Sequence, residues 1–380
     1  MEAQSKMLSS LLEAAVSEQA WPGAVLAVGR RDCDLCLHAV GYNTYERAHV
    51  MRNDDVFDLA SLTKVIATTT AVQRLVDEGS LGLDELVGDR VSAFVERGLP
   101  DLSRRRSVTI SHLLTHTSGL PAWLPIYTWG GDSRSRLLRL CETPLLEEPG
   151  ARVVYSDLGF ILLGMVVEAV SGERLDAFFG ANVALPLELS SATCYRPDPV
   201  LLPRMVPTEQ VGDTGERFVH GRVHDENAAA LGGVAGHAGL FSCAADLATV
   251  ARMLLHHGAT AQGRFLSRDV VDRFTRAQRF PDGGCKCLGW DSPSGISSGG
   301  IHLSDVSYGH TGFTGTSLWI DPVADLFVIL LTNAVHPKRE CKTPLYFDWR
   351  QRVHSAAYDL IGGRPPNPRL RLRERWVGSS

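Results

Sequence analysis

No apolar run in this 380-residue chain is long enough to cross a bilayer; the longest, Phe160–Val167 and Leu326–Leu331, fall far short of the roughly 20 residues a membrane helix needs. No basic stripe runs through the body of the chain and the formal net charge is only −5, so neither nucleic acid nor a membrane is expected as a partner. The stretch Met1–Trp21 lacks the unbroken apolar centre of an export signal, because Ser9, Ser10 and Glu13 interrupt Met7–Val16. It reads as an amphipathic helix, and the expected location is the cytoplasm. Eight cysteines are present, but Cys33-x-x-Cys36 and Cys285-x-Cys287 lack a second pair at zinc-ligand spacing, so free thiols and no metal are expected. What remains is an ordinary globular composition, 44% hydrophobic and 21% charged, with enough chain for a full core.

The stretch Phe57-Asp58-Leu59-Ala60-Ser61-Leu62-Thr63-Lys64 carries the first chemistry. From Val65 on, Val65, Thr69, Val72, Leu75 and Val76 recur at three and four, and Gly79 is placed to end the helix. Three residues apart on a helix, the Lys64 amine reaches the Ser61 hydroxyl. A neighbouring base and a helix N-terminus both favour the alkoxide, turning a poor nucleophile into a usable one. The bland reading of Ser-x-x-Lys is a helix cap beside a solvated lysine. Against it, the run after Lys64 is almost uncharged, as where a helix enters a core.

Further along, His112-Leu113-Leu114-Thr115-His116 reads as a short helix with Ser111 as N-cap and Gly119 and Pro121 as terminators. The two histidines have the spacing of a helical zinc pair but no Glu beside the first and no third ligand. Tyr155-Ser156-Asp157 precedes a helix whose apolar face is Phe160, Leu163, Val167 and Val170; Asp157 is its N-cap, or this loop presents the Tyr155 phenol to Ser61. His224-Asp225-Glu226 and the glycine-rich Leu231–Ser242 form a polar cluster beside segments of close backbone approach. Ser242–Leu255 reads as a helix capped by Ser242. Near the end, His310-Thr311-Gly312-Phe313 enters a three-strand meander through Asp321-Pro322 to Asn333, followed by a closing helix, Trp349–Ile361, and a solvated basic tail.

Strands thus fall at both ends and helices between them. The expected fold is α/β (α+β): an antiparallel sheet of about five or more strands drawn from both chain ends, flanked by helices, with a mostly helical insert. Residues 1–70 and 231–363 would form the sheet region, which Phe57–Ala60 rejoins before the first helix. Residues 71–230 would form the helical region and 364–380 the tail, all in one catalytic domain. That arrangement puts Ser61, Tyr155 and His310 at one cleft.

The ordered blocks Ser61-x-x-Lys64, Tyr155-Ser156-Asp157 and His310-Thr311-Gly312 resemble the three signatures of the serine β-lactamase-related and penicillin-binding-protein-like superfamily. The pattern is most similar to class C β-lactamases, D-alanyl-D-alanine carboxypeptidases and related esterases and amidases, peptidase family S12. The resemblance implies a β-lactamase/transpeptidase-like fold and a serine hydrolase that cleaves an amide or ester in a small-molecule or peptide substrate through an acyl-enzyme, without a cofactor. It implies Ser61 as nucleophile, Lys64 as its base, Tyr155 as proton relay and His310 as the third-motif residue. The N–H groups of Ser61 and Phe313 would form the oxyanion hole, with Thr311 and Gly312 beside it. Two positions depart from the pattern. Asp157 replaces a common Asn and would oppose use of Lys64 as a base, so either it points away as a cap or proton abstraction leans on Tyr155. His310 replaces Lys and anchors a carboxylate less well. Competing expectations are an amidase of peptidoglycan recycling, with His224-Asp225-Glu226 binding substrate, a catalytically silent ligand-binding relative, and a zinc hydrolase using His112, His116 and the cysteines.

Overall fold

The structure, a computed structural model, describes residues 2–47, 49–211 and 217–374. In chain order its main elements are α1 (Glu2–Ser17), β1 (Gly23–Gly29), β2 (Asp34–Gly41), β3 (Phe57–Asp58), α2 (Thr70–Asp77), α3 (Ile110–Leu114) and α4 (Asp157–Ser171). They continue with β4 (Cys194–Tyr195), β5 (Leu240–Ser242), α5 (Ala244–Leu255), β6 (Gln278–Arg279), β7 (Cys285–Lys286), β8 (Tyr308–Thr311), β9 (Ser317–Asp321), β10 (Leu326–Thr332) and α6 (Pro344–Ala356).

The main sheet is antiparallel in the order β8-β9-β10-β1-β2, so strands from the two ends of the chain meet at β10 and β1. Their register, Ala24↔Thr332 through Gly29↔Phe327, is set by period-two alternation on apolar strands. Val25, Ala27, Phe327, Ile329 and Leu331 face one core; Ala24, Leu26, Val28, Val328 and Leu330 face a second. Both faces of the sheet are therefore covered. On the second face lie Leu8 and Leu12 of α1 with Tyr346, Trp349 and Val353 of α6. On the first lie α2, α4 and α5 with the rest of the helical region. Each fully buried Leu or Ile there stabilises the sandwich by about 1.5–3 kcal/mol.

Several local expectations need correction. Phe57–Asp58 does not rejoin the main sheet: β2 and β10 already occupy both edges of β1, and β3 instead pairs with β5 in a separate sheet of order β3-β5-β4. The helix at Ser61 starts earlier and less regularly than its apolar period suggests, as a 3₁₀ turn over Ala60–Leu62 and a π-helical turn over Lys64–Thr69 before α2. Thr109, not Ser111, caps α3, because His112 Nδ1 accepts from the Thr109 N–H while the Thr109 hydroxyl accepts from the His112 N–H. Ser242 stays in the β5 ladder with its hydroxyl on Thr193, leaving Cys243 to precede α5. The closing helix begins at Pro344 and tightens to 3₁₀ at Ala357–Ile361. The basic tail is docked rather than free as far as Arg373: Leu370 is buried, and Gln351 takes the Arg373 N–H and donates to the Arg371 carbonyl. Positions 375–380 of that tail lie outside the described residues. Among the described residues no helix is long and apolar enough to cross a membrane.

Candidate active site

Ser61 stands in a turn held by its neighbours. Ala60, just before it, is a non-glycine residue in the left-handed region at φ +46°, a conformation that persists only where surroundings impose it. Here Asp58 imposes it: the buried carboxylate accepts from the N–H of Ala60 at 2.8 Å and from that of His224 at 2.6 Å. Thr314 and Thr316 donate their hydroxyls to the carbonyls of Asp58 and Leu59. Gly312 makes this approach feasible, since a Cβ there would meet Leu59 O at 2.3 Å and Thr316 Oγ1 at 2.1 Å. The glycine of the third motif thus lets the β8–β9 loop seat against the serine turn.

Ser61 is half-buried, and the fully buried Lys64 ammonium lies 2.9 Å from its Oγ. The π-helical turn carrying Lys64 is buried throughout. The Nζ also contacts the His237 carbonyl at 3.1 Å and Asp157 Oδ1 at 2.7 Å. Burial alone would lower the lysine's pKa; the Asp157 carboxylate and the Tyr155 phenol more than reverse this and hold Lys64 above its ordinary range. Asp157 is therefore not the helix cap. Ser156 takes that place, accepting from the Gly159 N–H, and frees the first residue of α4 to reach Lys64.

Tyr155 lies with its ring centroid 5.0 Å from Lys64 Nζ, and its hydroxyl interacts with both Lys64 and Ser61. Burial raises its pKa, with Lys64 working against that and Asp157 adding to it. At 38% exposed, the residue also opens this cleft to solvent. His310 packs 5.9 Å from the Tyr155 ring. Its Nδ1 faces the Thr311 carbonyl at 2.9 Å; a carbonyl cannot donate, so Nδ1 carries the proton and the buried Nε2 presents a lone pair with no partner among the described residues. Burial, with Lys64 and Lys286 against Asp291, pulls its pKa to about 4, so the ring is neutral near pH 7. Thr311, Gly312 and Phe313 continue from it. Phe313 is 48% exposed, and Lys342 donates to its carbonyl at 2.7 Å.

The structure thus brings Ser61, Lys64, Tyr155, Asp157 and His310 together. His224, Asp225 and Glu226 point in different directions. His224 bonds Glu209 at 2.8 Å and stacks on Phe313, Asp225 bonds His237 at 2.9 Å and caps the next helix, and Glu226 pairs with Arg339. His112 is spent on its helix cap, whereas His116 packs 4.6 Å from the Tyr155 ring. Cys36 and Cys287 lie in different cores, so the two cysteine pairs do not converge. Among the described residues no group of three or more His, Cys, Asp or Glu could hold a metal.

Three further residues line this cleft: His116, which the sequence offered only as a helix residue or zinc ligand, and Lys286 and Asp291, which it did not offer at all. His116 sits at φ +59° with Nδ1 on the Ser156 N–H. Lys286 and Asp291 form an ion pair beside Tyr155, and Lys286 Nζ lies 5.8 Å from the Tyr155 ring centroid. The lone signal for this pair was a lysine between Cys285 and Cys287, which carries no periodicity and no motif.

The family model described as Beta-lactamase matches residues 8–347. A protein of Escherichia coli O157:H7 named "Putative D-alanyl-D-alanine carboxypeptidase" is 34% identical over 308 residues, covering 74% of this chain and 69% of that protein. A protein of Bacillus subtilis (strain 168) named "N-acetylmuramyl-L-alanine amidase" is 33% identical over 346 residues, covering 83% of this chain and 78% of that protein. Among solved structures, EstCE1, described as a hydrolase with promiscuous acyltransferase activity, superposes with a TM-score of 0.73 at 22% identity, covering 94% of this chain and 99% of that one. The octameric penicillin-binding protein homologue from Pyrococcus abyssi gives a TM-score of 0.71 at 20% identity, over 94% and 78% of the two chains. The structural likenesses show the fold and the sequence matches show the descent: this chain belongs to the beta-lactamase family of hydrolases.

Proposed function

We propose that this protein is a serine hydrolase that cleaves an amide or ester of a small-molecule or peptide substrate through an acyl-enzyme on Ser61. The contact of Lys64 with Ser61 Oγ at 2.9 Å, beneath the Tyr155 phenol, carries this reading. With Asp157 holding Lys64 as an ammonium, the proton of Ser61 passes to the fraction of Tyr155 ionised as phenolate, a form that burial disfavours and Lys64 favours. Ser61 Oγ bonds the carbonyl carbon and the electron pair moves to the carbonyl oxygen. The N–H groups of Ser61 and Phe313 receive that oxygen; the Phe313 N–H donates to no other group among the described residues. The electron pair then returns from that oxygen, and the bond to the leaving amine or alcohol breaks as Tyr155 protonates it. Water, giving its proton to Tyr155, attacks the acyl carbon, so that the acid leaves and Ser61 Oγ takes the proton back. His310 Nε2 is free to accept a hydrogen bond from the phenol or the substrate.

The Bacillus subtilis relative favours one narrower reading, cleavage of the amide between a muramoyl group and L-alanine in recycled cell-wall fragments. All eight cysteines are free thiols, which supports work in a reducing cytoplasm. Hydrolysis of p-nitrophenyl esters, nitrocefin, D-Ala-D-Ala peptides and muramoyl-L-alanine peptides, measured in parallel with Ser61→Ala as control, tests both readings. Ser61-dependent turnover of at least one is expected. None, with no adduct from a fluorophosphonate probe, would instead mark a silent ligand-binding relative.

A further inference from the structure

The proposed reaction leaves one half-buried ion pair in its cleft without a task. Lys286 and Asp291 have side chains only 16% and 29% exposed, and they belong to a short hairpin rather than to any of the three motifs. Backbone pairing fixes the location of this pair. Lys286 bridges Asp291 across the hairpin, and Asp291 exchanges both N–H···O bonds with Gly309, at 2.8 and 3.1 Å. Gly309 is the β8 residue just before His310, so the pair is registered to the sheet edge that carries the third motif.

We propose that Lys286, held by Asp291, is a positioning residue of the reaction: its ammonium faces the Tyr155 ring together with that of Lys64 and favours the phenolate that takes the Ser61 proton. The inference rests on the acyl-enzyme reading given above. Two ammonium groups lie 5.0 and 5.8 Å from the centre of one phenol ring. Each already carries a carboxylate partner, Asp157 for Lys64 and Asp291 for Lys286, which fixes the cation and leaves neither free to wander. Among the described residues, Cys287 also acts on Lys286 and Asp225 on Lys64, and the Ser61 hydroxyl and the imidazoles of His116 and His310 face the cleft, both rings held neutral by burial and by the two lysines against Asp291. Lys286 and Asp291 act with opposite signs on both His310 and His116, while at the phenol it is the ammonium that lies 5.8 Å from the ring centre. Lys286 exchanges no proton. It alters the fraction of Tyr155 present as phenolate, and with it the pH at which acylation becomes fast.

The test is the pH profile of kcat/KM for p-nitrophenyl ester hydrolysis. In the unmodified protein the rate should rise with pH as Tyr155 ionises. In Lys286→Gln the midpoint of that rise should move up by about one pH unit, with roughly tenfold less activity below it, since Asp291 cancels part of the ammonium's field. Lys286→Arg should restore the original midpoint, and Asp291→Asn should move it down. Should Lys286→Gln fail to fold, the double variant Lys286→Gln/Asp291→Asn, which strands no buried charge, should still show a smaller upward move. Profiles that all superimpose after scaling would reduce the pair to a structural role and overturn the inference while leaving Ser61 chemistry intact. Absence of any Ser61-dependent turnover in the unmodified protein would overturn the acyl-enzyme reading and this inference together.

Discussion

The ammonium of Lys64 touches a hydroxyl, a carbonyl and a carboxylate at once, and the carboxylate decides its charge. With Asp157 Oδ1 at 2.7 Å the lysine stays protonated far above neutrality, so in the proposed reaction it stabilises negative charge rather than removing a proton. Asp157→Asn keeps the shape and removes the charge, which returns Lys64 toward use as a base. Acylation by a p-nitrophenyl ester is expected to be unchanged or faster in this variant. A loss on the order of a hundredfold in kcat/KM, about 2.7 kcal/mol, would mean that the carboxylate itself assists the reaction. His310 supplies the second residue-scale prediction. A neutral buried imidazole is a weak anchor for the carboxylate of a β-lactam, so nitrocefin and cephalosporins should turn over slowly; kcat/KM near the diffusional ceiling of about 10⁸ M⁻¹ s⁻¹ would contradict this. Ser61, Lys64, Tyr155 and His310 stood out in the sequence because each lies in a short motif. Lys286 and Asp291 did not, because only the pairing of a small hairpin with Gly309 brings them to the cleft.

At the scale of elements, the serine turn is locked between Asp58 on one side and the β8–β9 loop on the other. Gly312→Ala would drive a Cβ to 2.3 Å from Leu59 O, and backbone on both sides has little room to retreat. We expect a stability loss of about 2–3 kcal/mol by denaturant titration, together with slowed acylation. A variant as stable and as active as the parent would show that the loop does not position the turn. The strands of the main sheet were legible because alternation on long apolar runs leaves a single register that buries both faces. The short strands were not: two residues, as in Phe57–Asp58, carry no period, and their partner lies far away in the chain at Leu240–Ser242. Helix caps were misplaced by one or two residues where side chains found other uses. His112 stood in for the usual Glu of a capping box, and Ser242 kept its hydroxyl for Thr193.

For the whole molecule, the same burial that neutralises the cleft sets its response to acid. His310, at about 4, and His354, at about 3, bind protons less readily folded than unfolded, where a histidine titrates near 6.5. The stability tied to each neutral ring is fully present above pH 6.5 and is lost as pH falls toward 4, by about 3 kcal/mol for His310 alone. Glu209, which the Arg339 guanidinium and His224 hold at about 2 against the effect of burial, adds to the loss further down. Asp55, which burial pushes up to about 6, works the other way and softens the fall. Melting temperature should therefore drop steeply between pH 6.5 and 4; a flat profile would mean that these histidines are hydrated. The sandwich that buries them also delivers Ser61, Tyr155 and His310 from three remote stretches of chain to one opening, and on that convergence the proposed function rests. The most direct test is to label the intact protein with a fluorophosphonate and map the modified peptide. We predict a single adduct on Ser61, lost in Ser61→Ala; an unlabelled protein, or an adduct elsewhere with Ser61 free, would contradict the account.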